Sequence, residues 1–443
     1  SGAMENWGAI TFRETALLFD PAMTSVAVKK RIAMIIAHEL WHQWSGNLVT
    51  MEWWNDLWLN ESFATFMAYK AVDHFFPRWN IWEDFILEET DTAFDEDSIA
   101  STHPIEMQVN DPSQLEEIFD AISYNKGGSV LRMLESYIGE KDFRKSVSKY
   151  LHEHEYGNAT AGDLWKSLAG TSKKPIKNIA AVWMRQPGYP LVSASTKGNM
   201  LELSQKRFVF NKKDNSVWPI PLSIKTGNKI FTDIMDRKNK KIPLTSKQFK
   251  INYGQTGFYS VRYGEKEFTN LKAVIADKKL PPVDRWGIQS DMFRLSRHGE
   301  ITIDKYLDFI KSYSKEDNYL VLSSIFGSMH SVYFVFSQED FWNSIWPEFN
   351  NLFHGTFSSV LQRLGWDPKA DDTEKDALLR DLAIRYMGFA EDKDAERKAL
   401  EKLEKYVVGR KLHPNIRSAI FSVAAGCDSG VYDKLLGIYE RSN

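Results

Sequence analysis

The run H-E-L-W-H constrains this chain more than any other feature, because it places His38 and His42 four residues apart. On a helix that spacing puts both imidazoles on one face, so both can reach the same metal ion. Glu39, next to the first histidine, can take a proton from water at the metal. After His42 come eighteen residues and then Glu61, which completes a His-His-Glu ligand set. Three protein ligands leave one position of zinc open, as a catalytic site requires, so we expect one Zn²⁺ per chain.

The flanking sequence predicts that these residues lie on two helices. Val28 to Trp44 is an apolar helical stretch with little other reason to carry two histidines and a glutamate. Gly46 follows where a helix C-cap is expected. Glu61 falls in a second helical stretch, Asp56 to His74.

The segment G-A-M-E-N at residues 2–6 is the second informative stretch. Gly2 and Ala3 would allow close approach of an extended peptide, as when a strand adds to a sheet edge. Glu5 supplies a carboxylate suited to a free ammonium group. Taken alone, the segment also fits an ordinary strand with an exposed glutamate.

Together the two motifs resemble those of the gluzincin aminopeptidases of the aminopeptidase N type, the M1 family. G-x-M-E-N and H-E-x-x-H-x18-E are diagnostic there, and both are intact here. The resemblance implies a zinc-dependent enzyme that removes single residues from peptides with a free N-terminus. It also implies that the substrate is bound by Gly2, Ala3, Met4, Glu5 and Asn6.

A third segment, S-Y-N-K-G-G at residues 123–128, resembles the family segment whose tyrosine hydroxyl stabilises the oxyanion. Tyr124 therefore joins Glu39 as an expected catalytic residue. The two glycines, Gly127 and Gly128, predict close approach of chain segments near the site.

The resemblance continues to at least residue 300 and implies a multi-domain, mainly α fold. We expect a thermolysin-like helical catalytic domain over 1–187, a small β-sandwich over 188–265 and a C-terminal α-solenoid over 266–443. Alternating apolar residues, as at 208–210, predict strands between Leu191 and Gly264. Turn pairs such as Gly198-Asn199 and Gly227-Asn228 separate them, and the basic cluster at 237–241 is predicted to be a solvated turn. Helices are predicted at Asp376 to Met387 and Asp394 to Val407.

Family members normally carry a saddle-like β domain before the G-x-M-E-N strand, which here begins at residue 2. The chain is therefore expected to be the C-terminal portion of a longer enzyme. Two alternatives to a self-sufficient aminopeptidase stay open. One is a non-enzymatic or complementation-dependent fragment. The other is the epoxide hydrolase branch of the family, which reads G-G-M-E-N where Ala3 stands here.

Composition limits the partners and the compartment. A net charge of −3 gives no long-range attraction to nucleic acid or to acidic membranes. No stretch approaches eighteen uninterrupted apolar residues, so no membrane span is expected. Cys427 is the only cysteine, which excludes an intrachain disulfide and favours a cytoplasmic location. The chain also resembles aminopeptidases that act with the archaeal tricorn protease, which would make a larger protease complex a partner.

Two further features carry no predicted chemistry. The acidic run Asp91 to Asp97 is interpreted as a loop over the site or a solvated turn. The remaining histidines, His103 among them, show no spacing typical of a metal site or a catalytic motif.

Overall fold

The computed structural model describes residues 2–210, 214–427 and 429–440. These residues form two compact units, which we describe separately. Unit 1 contains the residues up to Ala16 together with Ala33–Tyr306, and unit 2 contains Leu17–Ile32 together with the residues from Leu307 onward.

Helices dominate both units. The α-helices are α1 (Val26–His42), α2 (Trp58–Phe75), α3 (Ile81–Phe85), α4 (Asp91–Asp97), α5 (Leu115–Ile118), α6 (Gly127–Ile138), α7 (Glu140–Glu153), α8 (Ala161–Ser172), α9 (Ile176–Arg185), α10 (Glu265–Ala276), α11 (Pro282–Arg297), α12 (Ile303–Ile310), α13 (Tyr319–Phe336), α14 (Trp342–Asn351), α15 (His354–Leu364), α16 (Glu374–Phe389), α17 (Lys393–Val407), α18 (Pro414–Cys427) and α19 (Ser429–Glu440). The strands are β1 (Ala3–Met4), β2 (Thr11–Phe12), β3 (Val49–Met51), β4 (Gly157–Ala159), β5 (Pro190–Lys197), β6 (Met200–Arg207), β7 (Ile220–Thr226), β8 (Lys229–Met235), β9 (Asn239–Pro243), β10 (Phe249–Ile251) and β11 (Ser260–Tyr263).

In unit 1, α2 packs on α3 and α6, and the first half of α2 is largely buried. Trp58, fully buried at the start of α2, stacks on Trp165 of α8 with ring centroids 5.2 Å apart. Two single-turn π-helices, Ile86–Thr90 and Ile122–Lys126, contact each other. Such turns are rare and frequent at functional sites, and we call the second one the Tyr124 π-turn.

Four small sheets complete unit 1. β1 and β2 are antiparallel, β3 and β4 are parallel, and the other two sheets run in the orders β10-β7-β8 and β11-β5-β6-β9. The predicted two-residue turns at Gly198 and Gly227 are confirmed, since they close the β5–β6 and β7–β8 hairpins. Both glycines have positive φ, 61° and 57°, as such turns demand.

Several predicted elements differ from the structure. The first helix ends at His42, four residues before Gly46, so that glycine is not its C-cap. β6 stops at Arg207, so residues 208–210 form no strand, and the basic turn at 237–241 runs into β9. The acidic run is neither a loop nor a solvated turn. It forms α4, whose last residue, Asp97, is completely buried.

Unit 2 is helical, apart from its connecting segments, in the part that the structure describes. The two predicted helices are confirmed as α16 and α17, and α16 packs on α15 and α18. The mainly helical fold, with small sheets and a helical C-terminal region, is therefore confirmed. The division at residues 187 and 265 stays a prediction.

Among the described residues, one helix has the length and composition of a membrane span. α13 has an 18-residue window of mean hydropathy 1.4, and 44% of that window is buried inside the protein. Buried core helices pass the same test, so the expectation of no membrane span stays a prediction.

The packing of α16 on α18 gives a stability test. A Cβ on Gly388 would lie 2.4 Å from Cγ2 of Val423, whereas no described atom lies within 4 Å of a Cβ on Gly327 in α13. We expect Gly388→Ala to lower the free energy of unfolding by about 1–3 kcal/mol, because overpacking outweighs its better helix propensity. Gly327→Ala should leave stability unchanged or raise it by up to about 1 kcal/mol. Urea denaturation followed by circular dichroism compares them, and equal stabilities would contradict this packing.

Candidate metal and peptide site

Helices α1 and α2 bring the three predicted metal ligands together. His38 Nε2 lies 3.0 Å from His42 Nε2 and 3.3 Å from Glu61 Oε2, and His42 Nε2 lies 3.5 Å from the same carboxylate oxygen. The histidines are one turn apart on α1, and the glutamate lies in the first turn of α2, where the helix dipole favours a carboxylate. The hydroxyl of Ser45, just after α1, donates to the Leu59 carbonyl of α2 at 2.6 Å and ties the two helices together.

These distances fit the ligand shell of a single ion. Donor atoms about 2.0–2.1 Å from a tetrahedral zinc ion lie roughly 3.3 Å from one another. Two imidazole nitrogens 3.0 Å apart can share at most one proton, whereas one metal ion can accept a lone pair from each nitrogen and from the carboxylate. Two nitrogens and a carboxylate oxygen are a donor set that suits zinc.

The charge state of Glu61 and the hydrogen bonding of His42 fit ligand roles. Although burial raises the pKa of Glu61, its hydrogen bonds to His38 and His42 and their charges lower it to about 2. Burial lowers the pKa of His42, but Glu61 outweighs that effect and raises it. Nδ1 of His42 lies 3.2 Å from the Ser45 carbonyl oxygen. A proton on Nδ1 would donate to that carbonyl and leave Nε2 free to bind a metal.

Glu39 lies beside this cluster as a buried carboxylate. Its Oε2 atom has no hydrogen-bond partner among the described residues. Burial, followed by the nearby charges of Glu5 and Glu61, raises the pKa of Glu39 to about 7, although His42 lowers it. A carboxylate with a pKa near neutrality can both accept and return a proton.

The segment at residues 2–6 lies next to the cluster. Glu5 Oε1 is 4.0 Å from His42 Nδ1, and these two residues and Glu39 have ligand atoms within 4.8 Å of one another. Ala3 and Met4 form β1, which pairs with β2. The other edge of β1 carries no strand among the described residues.

The ends of the segment are fixed by its neighbours. The Gly2 carbonyl accepts the Arg13 N–H at 2.9 Å, and the Glu5 carbonyl accepts the Asn47 side-chain amide at 2.8 Å. A Cβ on Gly2 would lie 3.3 Å from Ile35 of α1. Asn6, the last residue of the predicted substrate segment, is exposed. The described side chains therefore leave this segment accessible to an extended ligand.

Tyr124 joins the cluster from the Tyr124 π-turn. Its ring lies nearly parallel to that of His38, with an interplanar angle of 13° and centroids 6.3 Å apart. Burial, followed by the charge and hydrogen bond of Glu61 and the charges of Glu5 and Glu39, raises the pKa of Tyr124 well above its ordinary value. The phenol is therefore protonated at neutral pH and can donate a hydrogen bond.

The predicted close approach near the site occurs at Gly127. A Cβ there would lie 1.8 Å from Oγ of Ser62, the residue after Glu61. That hydroxyl donates to the Ser123 carbonyl at 2.5 Å. At Gly128 a Cβ would make only ordinary contacts, the nearest at 3.6 Å, so the need for glycine is specific to position 127.

The structure also shows polar pairs that the sequence reading missed. Asp97 and Lys126 are completely buried, and their side chains meet at 2.8 Å. His103 Nε2 lies 2.7 Å from Asp120 Oδ2, at the start of the Tyr124 π-turn. Only the proximity of Lys126 and Asp120 to Tyr124 in the sequence could have drawn attention to them. Their partners come from separate segments without a motif.

Comparison with known proteins agrees with the geometry. Residues 1–183 match the Peptidase family M1 domain, and residues 248–443 match the ERAP1-like C-terminal domain. The chain is 38% identical to probable aminopeptidase 2 of Sulfurisphaera tokodaii, over 99% of the chain and 53% of that protein. It is 39% identical to tricorn protease-interacting factor F2 of Thermoplasma acidophilum, over 89% of the chain and 51% of that protein.

A leucyl aminopeptidase of Saccharolobus solfataricus is 41% identical, over 82% of the chain and 47% of that protein. The chain thus spans about half the length of the curated relatives that it matches. Because residues 1–183 match the Peptidase family M1 domain and residues 248–443 match the ERAP1-like C-terminal domain, the chain belongs to peptidase family M1.

Proposed function

We propose that this chain carries the active site of a zinc-dependent aminopeptidase that removes single N-terminal residues from peptides. The observation that carries the proposal is the convergence of His38 Nε2, His42 Nε2 and Glu61 Oε2 within 3.5 Å of one another. Glu39, Glu5 and the free edge of β1 lie beside them. Relatives named aminopeptidases support the same activity.

The chemistry divides among the residues around the ligand cluster. Zinc held by His38, His42 and Glu61 would supply a Lewis acid and lower the pKa of water toward about 7. Glu39 takes the proton of the attacking water and returns it to the leaving amine. Its raised pKa and its unpartnered Oε2 atom suit both steps.

Tyr124 and Glu5 orient and stabilise the substrate. The protonated phenol donates to the oxyanion that forms when the scissile carbonyl is attacked. The Glu5 carboxylate binds the α-ammonium group, which limits cleavage to one residue from the N-terminus. The main chain of residues 2–6 pairs with the extended substrate along the free edge of β1.

Two alternatives differ in testable ways. A fragment that needs a further segment for activity would bind zinc yet hydrolyse peptides only after that segment is added. An epoxide hydrolase of the same family would favour an epoxide over an aminoacyl amide, although Ala3 departs from the G-G-M-E-N motif of that branch. Neither has a structural observation in its favour.

The finer features of the family form part of the proposal. Residues 1–187 are proposed to form a thermolysin-like catalytic domain, residues 188–265 a β-sandwich that contains the two larger sheets, and residues 266–443 an α-solenoid. A single cysteine, Cys427, supports a cytoplasmic location. The relative named tricorn protease-interacting factor F2 supports a larger protease complex as a partner.

The role of Glu39 predicts that its substitution lowers turnover without lowering zinc binding. Glu39→Gln should retain one zinc ion per chain, because the ligands are untouched, and should lower kcat for an alanyl or leucyl fluorogenic amide about 10²- to 10⁴-fold. Zinc content by mass spectrometry and steady-state kinetics measure the two effects. Glu52→Gln, which changes an exposed glutamate, serves as the control. Undiminished turnover in Glu39→Gln would contradict the assignment.

The role of Glu5 predicts selectivity for a free N-terminus. We expect Glu5→Gln to lower kcat/KM for a free-amino substrate roughly 30-fold or more, because a buried charge pair with the ammonium is lost. The low activity on the N-acetylated substrate should stay unchanged. Glu14→Gln, at an exposed glutamate in the 3₁₀ helix after β2, should alter neither rate. Equal losses of kcat/KM on both substrates would mean that Glu5 does not bind the α-ammonium group.

A further inference from the structure

The Tyr124 π-turn begins with hydrogen bonds to one aspartate, two to its carboxylate and one to its backbone carbonyl. Asp120 Oδ1 accepts the backbone N–H groups of Ile122 and Ser123, each at 3.0 Å. The backbone carbonyl of the same aspartate accepts the N–H of Tyr124, also at 3.0 Å. Asp120 thus holds three consecutive N–H groups, the last of them that of the tyrosine itself.

The second oxygen of this carboxylate is held by a histidine from a separate loop. His103 Nε2 lies 2.7 Å from Asp120 Oδ2, and His103 Nδ1 lies 2.8 Å from the Pro104 carbonyl oxygen. Both ring nitrogens therefore face acceptors, an arrangement that an imidazolium satisfies completely. The hydrogen bond to Asp120 raises the pKa of His103 above its ordinary value, although partial burial opposes it.

The far end of the Tyr124 π-turn is anchored independently. The Asn125 amide donates to the Glu88 carbonyl at 3.1 Å and to the Glu89 carboxylate at 2.8 Å. The buried Lys126–Asp97 pair follows one residue later. With that end fixed, the conformation at the start of the turn decides where the Tyr124 hydroxyl lies.

We propose that His103 and Asp120 are positioning residues that fix the Tyr124 hydroxyl for the reaction. Neither is assigned contact with the substrate, and both act through the conformation of the Tyr124 π-turn. The inference rests on the proposed function, since it assumes that Tyr124 serves the oxyanion. A displacement of about 1 Å at such a donor can cost about 10²-fold in rate.

The kinetic test is a double-mutant cycle. Asp120→Ala should lower kcat about 10- to 100-fold with KM within about threefold, and His103→Ala should act in the same direction. In a Tyr124→Phe background Asp120→Ala should change kcat by less than about threefold, because both changes remove the same interaction. Asp120→Asn should recover most of the activity, since its amide keeps the N–H acceptor and can donate to a neutral imidazole.

Unit 2 provides a matched control. There His354 Nε2 lies 2.9 Å from Asp392 Oδ2, and Asp392 Oδ1 caps α17 by accepting the Ala395 N–H at 2.8 Å. Asp392→Ala therefore removes the same kind of histidine–aspartate cap, and it should leave kcat unchanged. Equal losses in Asp392→Ala and Asp120→Ala, or additive effects of Asp120→Ala and Tyr124→Phe, would overturn the positioning role.

A spectroscopic measurement separates this inference from the proposed function. In protein labelled with 3-fluorotyrosine, the ¹⁹F line of Tyr124 is identified by its loss in Tyr124→Phe. We expect Asp120→Ala and His103→Ala to shift or broaden that line, with Asp392→Ala leaving it unchanged. This readout needs no turnover, so an inactive wild type would sink the aminopeptidase proposal alone. An unmoved line would overturn the positioning role alone.

Discussion

The organisation of unit 1 depends on holding three electron-pair donors close together. Two imidazole nitrogens and a carboxylate oxygen lie 3.0–3.5 Å apart, a distance at which their lone pairs must be shared by protons or by a metal ion. The surrounding structure supports this arrangement. Buried Trp58, stacked on Trp165, fixes the start of α2, and Ser45 ties that helix to α1. Aromatic packing and the Ser45 hydrogen bond thus hold the three side chains close together.

The position of Tyr124 also depends on the surrounding structure. This residue lies on a π-turn whose two ends are held by buried or half-buried polar groups. The Lys126–Asp97 pair at one end is completely buried, and loss of either partner of such a pair costs about 3–5 kcal/mol. At Gly127 the chain approaches α2 so closely that Ser62 occupies the space of a Cβ. Glu61 and Tyr124 are therefore joined through their immediate neighbours, because the Ser62 hydroxyl donates to the Ser123 carbonyl.

The sequence predicted those structural elements that depend on local residue patterns. The helix with His38 and His42 follows from apolar periodicity, and the hairpins at Gly198 and Gly227 follow from turn residues. Contacts between distant segments could not be read in the same way. The buried position of Asp97 could not be predicted because the lysine that pairs with it lies 29 residues away, and the partner of His103, Asp120, lies 17 residues away. The motif H-E-x-x-H-x18-E is informative because its spacing predicts a contact between a histidine pair and a glutamate that is distant in the sequence.

The measurement that tests the central claim most directly is the location of zinc in crystals of the chain, from anomalous scattering at the zinc edge. The account predicts one ion per chain, about 2.0–2.2 Å from Nε2 of His38, Nε2 of His42 and Oε2 of Glu61. His42→Ala should remove it. Zinc bound elsewhere, or no zinc from a zinc-saturated solution, would contradict the account.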